Sequence, residues 1–133
     1  MRAVLDANVL VSALLSRQGS PAQLVERWLL GDFELVVSDL LLLEVERTFA
    51  ASKLRDRVAV DVAGELVATL RDLAELVPDP TGSPPVHSRD PGDDYLVALA
   101  AAARATLVSG DTHLLELREA IPVLSPREFL DAL

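Results

Sequence analysis

The chain has 133 residues, half of them hydrophobic, with no cysteine and a formal net charge of −9. That is enough apolar material for one compact core and too much for a disordered chain. The missing cysteines exclude a disulfide framework and a thiolate zinc site. Glu44, Arg47 or Arg104 interrupts the apolar runs before they reach bilayer length, and "MRAVLDANVL" carries an acid at position 6 and no cleavage pattern. A soluble cytoplasmic protein with no membrane association is expected. The acidic balance argues against a nucleic-acid binder with a broad basic footprint and suits a basic protein partner, although bound cations can reverse the sign locally.

In chain order, "RAVL" predicts a strand over Ala3 to Leu5, and "ANVLVSALL" continues into a helix. "GSPAQLVERWLLG" predicts a helix with Ser20 as N-cap, Pro21 at the first helical position, Gln23 completing a capping box and Gly31 past the end. "FELVVS" is a buried strand ending at Ser38, which can cap the helix "DLLLLEVERTFA". "RDRVAVDVAGELVATLRDL" is an amphipathic helix, and "AELVPDP" a weaker strand. The Pro/Gly-rich "DPTGSPPVHSRDPGD" must lie on the surface. Beyond it come helix "DYLVALAAAARA", strand "TLVS", short helix "DTHLLELRE", strand "IPVL" and helix "PREFLDAL". No repeat or second domain is visible, so residues 1–133 read as a single domain. Alternating strands and helices predict an α/β fold with a mainly parallel sheet, whose ligand sites lie beyond the carboxyl ends of the strands. Asp6, Ser38, Ser109 and Asp111 fall at or just after strand ends.

A carboxylate closing a buried strand, as Asp6 does, needs a cation or several donors, and capping the next helix is one way to find them. Asn8 offers an amide two residues on. Glu44 lies two turns into an apolar helix, where a solvated pair with Arg47 explains it as well as a site role does. Asp93, Asp94 and Asp111 each stand at a helix start, where free N–H groups favour any carboxylate. Their convergence on one sheet edge is harder to explain by capping alone, because clustered acids repel unless something positive is bound. Carboxylates without thiols or clustered imidazoles suit Mg²⁺ or Mn²⁺, and such ions support phosphodiester cleavage. His87 and His113 read as isolated surface or loop residues. No Gly-rich phosphate loop, nucleophile elbow or thiol nucleophile is present.

"VLDANVLVSALL", "VVSDLLLLEVERT" and "RDPGDDYLVALAAAARATLVSGDTHLLEL" together resemble the PIN-domain family, and within it the toxin ribonucleases of type II toxin–antitoxin systems. The similarity runs over nearly the whole chain, and Arg89 to Leu115 is its most specific part. It implies a three-layer α/β/α sandwich around a parallel sheet of about five strands and a Mg²⁺- or Mn²⁺-dependent endoribonuclease site holding one or two ions. The family's first acid maps to Asp6, its small polar residue to Asn8, and its helical glutamate to Glu44. Its third acid maps best to Asp94 with Asp93 as neighbour, and its fourth to Asp111, with Ser109 as the hydroxyl. Asp6, Asp94 and Asp111 would hold the principal ion. Glu44 would ligate it or orient the attacking water, while Ser109 or Asn8 would hold the acids in place and Ser38 would support the site. Arg17 and Arg89, on rim loops, would contact RNA. This branch often carries another acid two positions after Asp111, where this chain has His113. The resemblance also implies a small antitoxin partner and a homodimer, for which Trp28 and Leu40 to Leu43 could serve, although core packing explains them equally well.

Within "SRDPGDDYLVAL", Asp90 is expected in the turn that Pro91 and Gly92 complete. Asp93 is expected to be the helix cap and Asp94 the ligand, so that changing Asp93 costs stability and changing Asp94 costs activity. The alternative is a non-catalytic interaction module that keeps the fold and the acids without turnover. A phosphotransferase using Asp6 as nucleophile lacks the second aspartate of its signature and would need Lys53, the only lysine, which stands in a helix-end segment.

Overall fold

The structure, a computed structural model, describes residues 1–51 and 60–133. Runs of aliphatic residues too short for helices become strands, and those inside the sheet are apolar on both faces. Ala3, Val4 and Leu5 of β1 (Arg2–Leu5), Leu35 to Val37 of β2 (Glu34–Val37) and Leu107 and Val108 of β4 (Thr106–Val108) are all essentially inaccessible. Continuous burial of this kind marks a parallel sheet covered by helices on both sides. β3 (Glu75–Leu76) and β5 (Val123–Leu124) form its edges. The order is β3-β2-β1-β4-β5, and every pairing is parallel.

The helices are α1 (Ala7–Leu15), α2 (Ser20–Leu29), α3 (Asp39–Ala51), α4 (Val60–Leu73), α5 (Asp94–Ala103), α6 (Thr112–Leu115) and α7 (Pro126–Ala132). From β1 to β3 the chain steps across the sheet in one direction, and from β3 it returns to β4 and β5 beyond β1. Right-handed crossovers therefore place α1 to α4 on one face and α5 and α6 on the other, which gives the expected α/β/α sandwich. α7 closes the first face, with buried Phe129 packing its ring 5.1 Å from that of Phe33. No helix among the described residues is long and apolar enough to cross a membrane.

Several local expectations change. The N-cap of α2 is Gly19 and no side chain caps it, so Ser20 lies inside the helix and Gln23 instead donates weakly to the Gln18 carbonyl. Pro21 does occupy the first turn, and Gly31 follows the helix with φ of 86°, a conformation that suits glycine. The weaker strand shrinks to two exposed residues at the sheet edge. The start of the "RDRVAV" helix and Lys53 lie outside the described residues. Trp28, Leu41 and Leu42 belong to the core, leaving only Leu40 and Leu43 of that apolar set at the surface.

The return of the chain from β3 to β4 makes the gap between β1 and β4 the topological switch point. In open parallel sheets the crevice at the carboxyl ends of such strands receives ligands. Leu5 pairs with Val108, so the residues that follow them, Asp6 and Ser109, are adjacent by register.

Candidate functional site

Asp6 leaves β1 and caps α1. Its backbone N–H bonds the Val108 carbonyl at 3.0 Å, and its Oδ1 accepts from the Asn8 N–H at 3.2 Å. Oδ2 accepts from the Ser109 hydroxyl at 2.7 Å, with both residues buried. Burial raises the Asp6 pKa, the bonds from Ser109 and Asn8 oppose that rise, and the negative charge of Asp111 adds to it. Ser109 is fully enclosed. Its N–H bonds the Leu124 carbonyl, and its oxygen accepts from the Asp111 N–H at 3.0 Å. A single hydroxyl thus ties the acid after β1 to the backbone of the acid after β4. Asp111 caps α6 by accepting the His113 N–H at 2.8 Å.

Asp93 does not make the helix-cap bond expected of it. Asp93 precedes α5, but its side chain accepts no first-turn N–H, and among the described residues no donor reaches its buried Oδ2. Burial raises its pKa to about 6, with further repulsion from Asp6, Asp90 and Asp111 and partial relief from His113. Asp94 faces the preceding loop, accepting the Ser88 N–H at 2.8 Å and pairing with His87 Nδ1 at 2.8 Å. Those two bonds lower its pKa. The physical reason is a 3-10 turn, Pro91–Asp93, inserted before α5 and capped by Asp90 through the Gly92 N–H at 2.9 Å. With Asp90 in that turn as expected, Asp93 is free of the capping task, and the roughly 100° between successive helical residues aims the two carboxylates apart.

Of the other expected residues, Ser38 is buried and caps α3 through the Leu41 N–H. Asn8 lines a cavity of about 380 Å³ that also reaches Ser12, Pro21, Gly110, Asp111 and Pro126. Glu44 makes no hydrogen bond to the three acids among the described residues and pairs with Arg47 at 3.0 Å on the surface. It does share their field. Burial, and then the charges of Asp6, Glu44, Asp93 and Asp79, hold the Tyr95 phenol above its ordinary pKa. Arg17 is exposed between α1 and α2, and Arg89 makes an exposed pair with Glu116. A separate cavity of about 320 Å³ at the other end of the sheet, beside Arg104 and Thr106, contains no acid.

Neither histidine is isolated. His87 serves Asp94, and His113 Nδ1 stands 3.8 Å from Asp111 Oδ1. Tyr95 and His113 carried legible signals: Tyr95, the only tyrosine, directly follows the paired aspartates, and His113 follows a capping aspartate by two residues.

Asp6, Asp93 and Asp111 are therefore three oxygen-donor groups that repel one another, and Asp93 carries an orphaned buried oxygen. That donor set fits a hard divalent cation. Among the described residues no three acidic or histidine side chains stand at ion-holding distance as placed, so an ion would require them to rotate inward or to bind through water.

The PIN domain family matches residues 2–113. Among solved structures, the chain is similar to VapBC-1 from nontypeable Haemophilus influenzae, with 15% identity, a TM-score of 0.65, and coverage of 96% of this chain and 99% of that one. It is also similar to VapBC2 from Rickettsia felis bound to a DNA fragment from their promoter, with 16% identity, a TM-score of 0.61, and coverage of 94% and 98%. FitAcB from Neisseria gonorrhoeae matches at 19% identity with a TM-score of 0.60, again over 94% and 98%. No curated protein matches. At these identities the structural likeness is one of fold, while the family match spans most of the sequence and includes Asp6, Glu44, Asp93 and Asp111. The chain belongs to the PIN domain family.

Proposed function

We propose that the protein is a Mg²⁺- or Mn²⁺-dependent endoribonuclease, the toxin of a toxin–antitoxin pair. The observation that carries this reading is the gathering of Asp6, Asp93 and Asp111 at the β1/β4 switch point, with a buried carboxylate oxygen left unpaired. Such an arrangement is costly in a folded protein unless a cation compensates it.

Asp6, Asp93 and Asp111 would hold the ion, and the role expected for Asp94 passes to its neighbour Asp93. When bound, the ion supplies Lewis-acid stabilisation of the phosphate and a more acidic water. Ser109 holds the Asp6 carboxylate and the Asp111 backbone in register, and Asn8 fixes the second Asp6 oxygen through its N–H. Glu44 of α3 makes an exposed pair with Arg47 worth less than about 1 kcal/mol, which would open for the carboxylate to orient the attacking water. Water oxygen bonds to phosphorus as the bond to the 3′ oxygen breaks. The water's proton would go to a carboxylate or solvent and a proton from solvent would reach the leaving 3′ oxygen, giving a 5′-phosphate and a 3′-hydroxyl. Arg17, which has no ion pair among the described residues, and Arg89, whose exposed pair with Glu116 can open, would contact RNA.

The net charge of −9 suits a basic antitoxin better than tight binding of bare RNA. A homodimer would use Leu40 and Leu43 with Leu73 and Leu76, the exposed leucines of α3, α4 and the β3 edge.

The test is cleavage of structured RNA by partner-free protein with Mn²⁺ or with a chelator. Cleavage should require the ion and fall at least tenfold in Asp6→Asn and in Asp111→Asn. Cleavage untouched by either change, with no ion bound in calorimetry, would remove the nuclease reading. Ion binding without cleavage of any RNA would leave the non-catalytic interaction module.

A further inference from the structure

The cavity of about 320 Å³ at the far end of the sheet lies between the end of α5, the start of β4 and the segment that enters β5. Its walls are mainly apolar, with Val97, Ala100, Ala105 and Ile121 among them, and its polar side chains are those of Arg104 and Thr106. Among the described residues neither the Arg104 guanidinium nor the Thr106 hydroxyl has a hydrogen bond or ion pair, and no carboxylate borders the cavity. Arg104 is also the one non-glycine with positive φ among the described residues, at 53°. A side chain in that conformation meets the crowding that glycine avoids, so an arginine is held at this turn without a compensating contact inside the chain. The last carbonyls of α5 do not neutralise its charge, because those of Ala100 and Ala101 accept the Arg104 and Ala105 N–H groups. In a chain of net charge −9, an unpaired cation over an acid-free apolar cavity is the reverse of the surroundings at the Asp6 end.

We propose that this cavity binds a small apolar carboxylate, with its hydrocarbon body against Val97, Ala100 and Ile121 and its carboxylate on the Arg104 guanidinium. Thr106 supplies a further hydroxyl donor. Apolar walls with a few polar groups are the usual make-up of a small-ligand site, and this volume takes a body of about ten non-hydrogen atoms. A guanidinium matches a carboxylate through two parallel hydrogen bonds. A phosphate, with more charge and more oxygens to satisfy, would find only one cation and one hydroxyl here. The site is separate from the acid cluster and does not depend on the nuclease reading.

Full-length protein is titrated with sodium octanoate, 1-octanol and acetate and followed by amide NMR. Octanoate should bind saturably with a Kd of about a millimolar or below, shifting Ala105, Thr106 and Ile121 while leaving Ser109 and Asp111 in place. Octanol has the same chain without the charge and acetate the charge without the chain, so each should bind at least about tenfold more weakly. Arg104→Gln should weaken octanoate about tenfold and leave octanol unchanged. Arg104→Gly suits the left-handed turn, so it should keep the fold and lose octanoate in the same way. No saturable shift at these residues, octanol binding as tightly as octanoate, or octanoate binding unaltered in both folded variants overturns the proposal.

Discussion

Asp93→Asn is expected to lower metal-dependent RNA cleavage about a hundredfold or more while making the metal-free protein more stable at neutral pH. The two effects share a cause. The Asp93 carboxylate is part-buried, repelled by Asp6, Asp90 and Asp111, and short of a donor at Oδ2. Its pKa is about 6 in the folded chain against an ordinary 3.8. Ionisation is therefore disfavoured on folding, and its cost is absent below pH 4, grows between pH 4 and 6, and is complete above that range. A rise of about two units corresponds to at most about 3 kcal/mol, which solvent around a part-exposed group reduces to about 1 kcal/mol. Denaturant unfolding with a chelator should show Asp93→Asn ahead of wild type by about that amount at pH 7.5, with the difference gone at pH 4. Asp94→Asn should behave oppositely. It weakens the bonds to Ser88 and His87, costs up to about 1 kcal/mol, and leaves cleavage within about threefold of wild type. Equal losses of cleavage in both variants would mean that the carboxylates do not divide their roles in this way.

Ser109→Ala should destabilise the fold by about 3 kcal/mol, which for a chain of this size lowers Tm by roughly 10 °C. Its hydroxyl has two partners in a place that water cannot reach, donating to Asp6 Oδ2 and accepting from the Asp111 N–H. Alanine leaves a buried carboxylate oxygen and a backbone donor unpaired at once. The coupling can be isolated by repeating the substitution in an Asp6→Asn background, where the charge is gone and the cost should drop to about half. A loss under about 1 kcal/mol, unchanged in that background, would show that the hydroxyl does not hold Asp6.

The architecture was readable because its signals are local and repeated. Short aliphatic runs bounded by Gly, Pro, Ser and Asp mark β1, β2 and β4, and acids or serines directly after them mark the ligand end of the sheet. The placement of Asp6, Ser109 and Asp111 at that end was legible for that reason, as was the Asp90 turn. The division between Asp93 and Asp94 was not. It depends on the 3-10 turn and on the His87–Asp94 bond, formed across a proline-rich loop with no periodicity to read. Glu44 was the reverse case: family resemblance alone raised it above a surface pair, and the structure shows that surface pair with Arg47 beside a shared field at Tyr95. The Ser20 cap failed because Gly19 can start α2 by backbone conformation alone. His113 read as isolated although its contact with Asp111, two residues before it, is local.

The central claim, that Asp93 rather than Asp94 joins Asp6 and Asp111 to receive a divalent ion, is tested most directly by carbon-detected NMR titration of the aspartate carboxyls. In metal-free protein the Asp93 carboxyl should titrate at about 6 and Asp94 below the ordinary carboxylate range. Saturating Mg²⁺ should move Asp93 sharply downward and leave Asp94 where it was. An Asp93 carboxyl that titrates in the ordinary range and ignores Mg²⁺, or an Asp94 that responds in its place, would contradict the account.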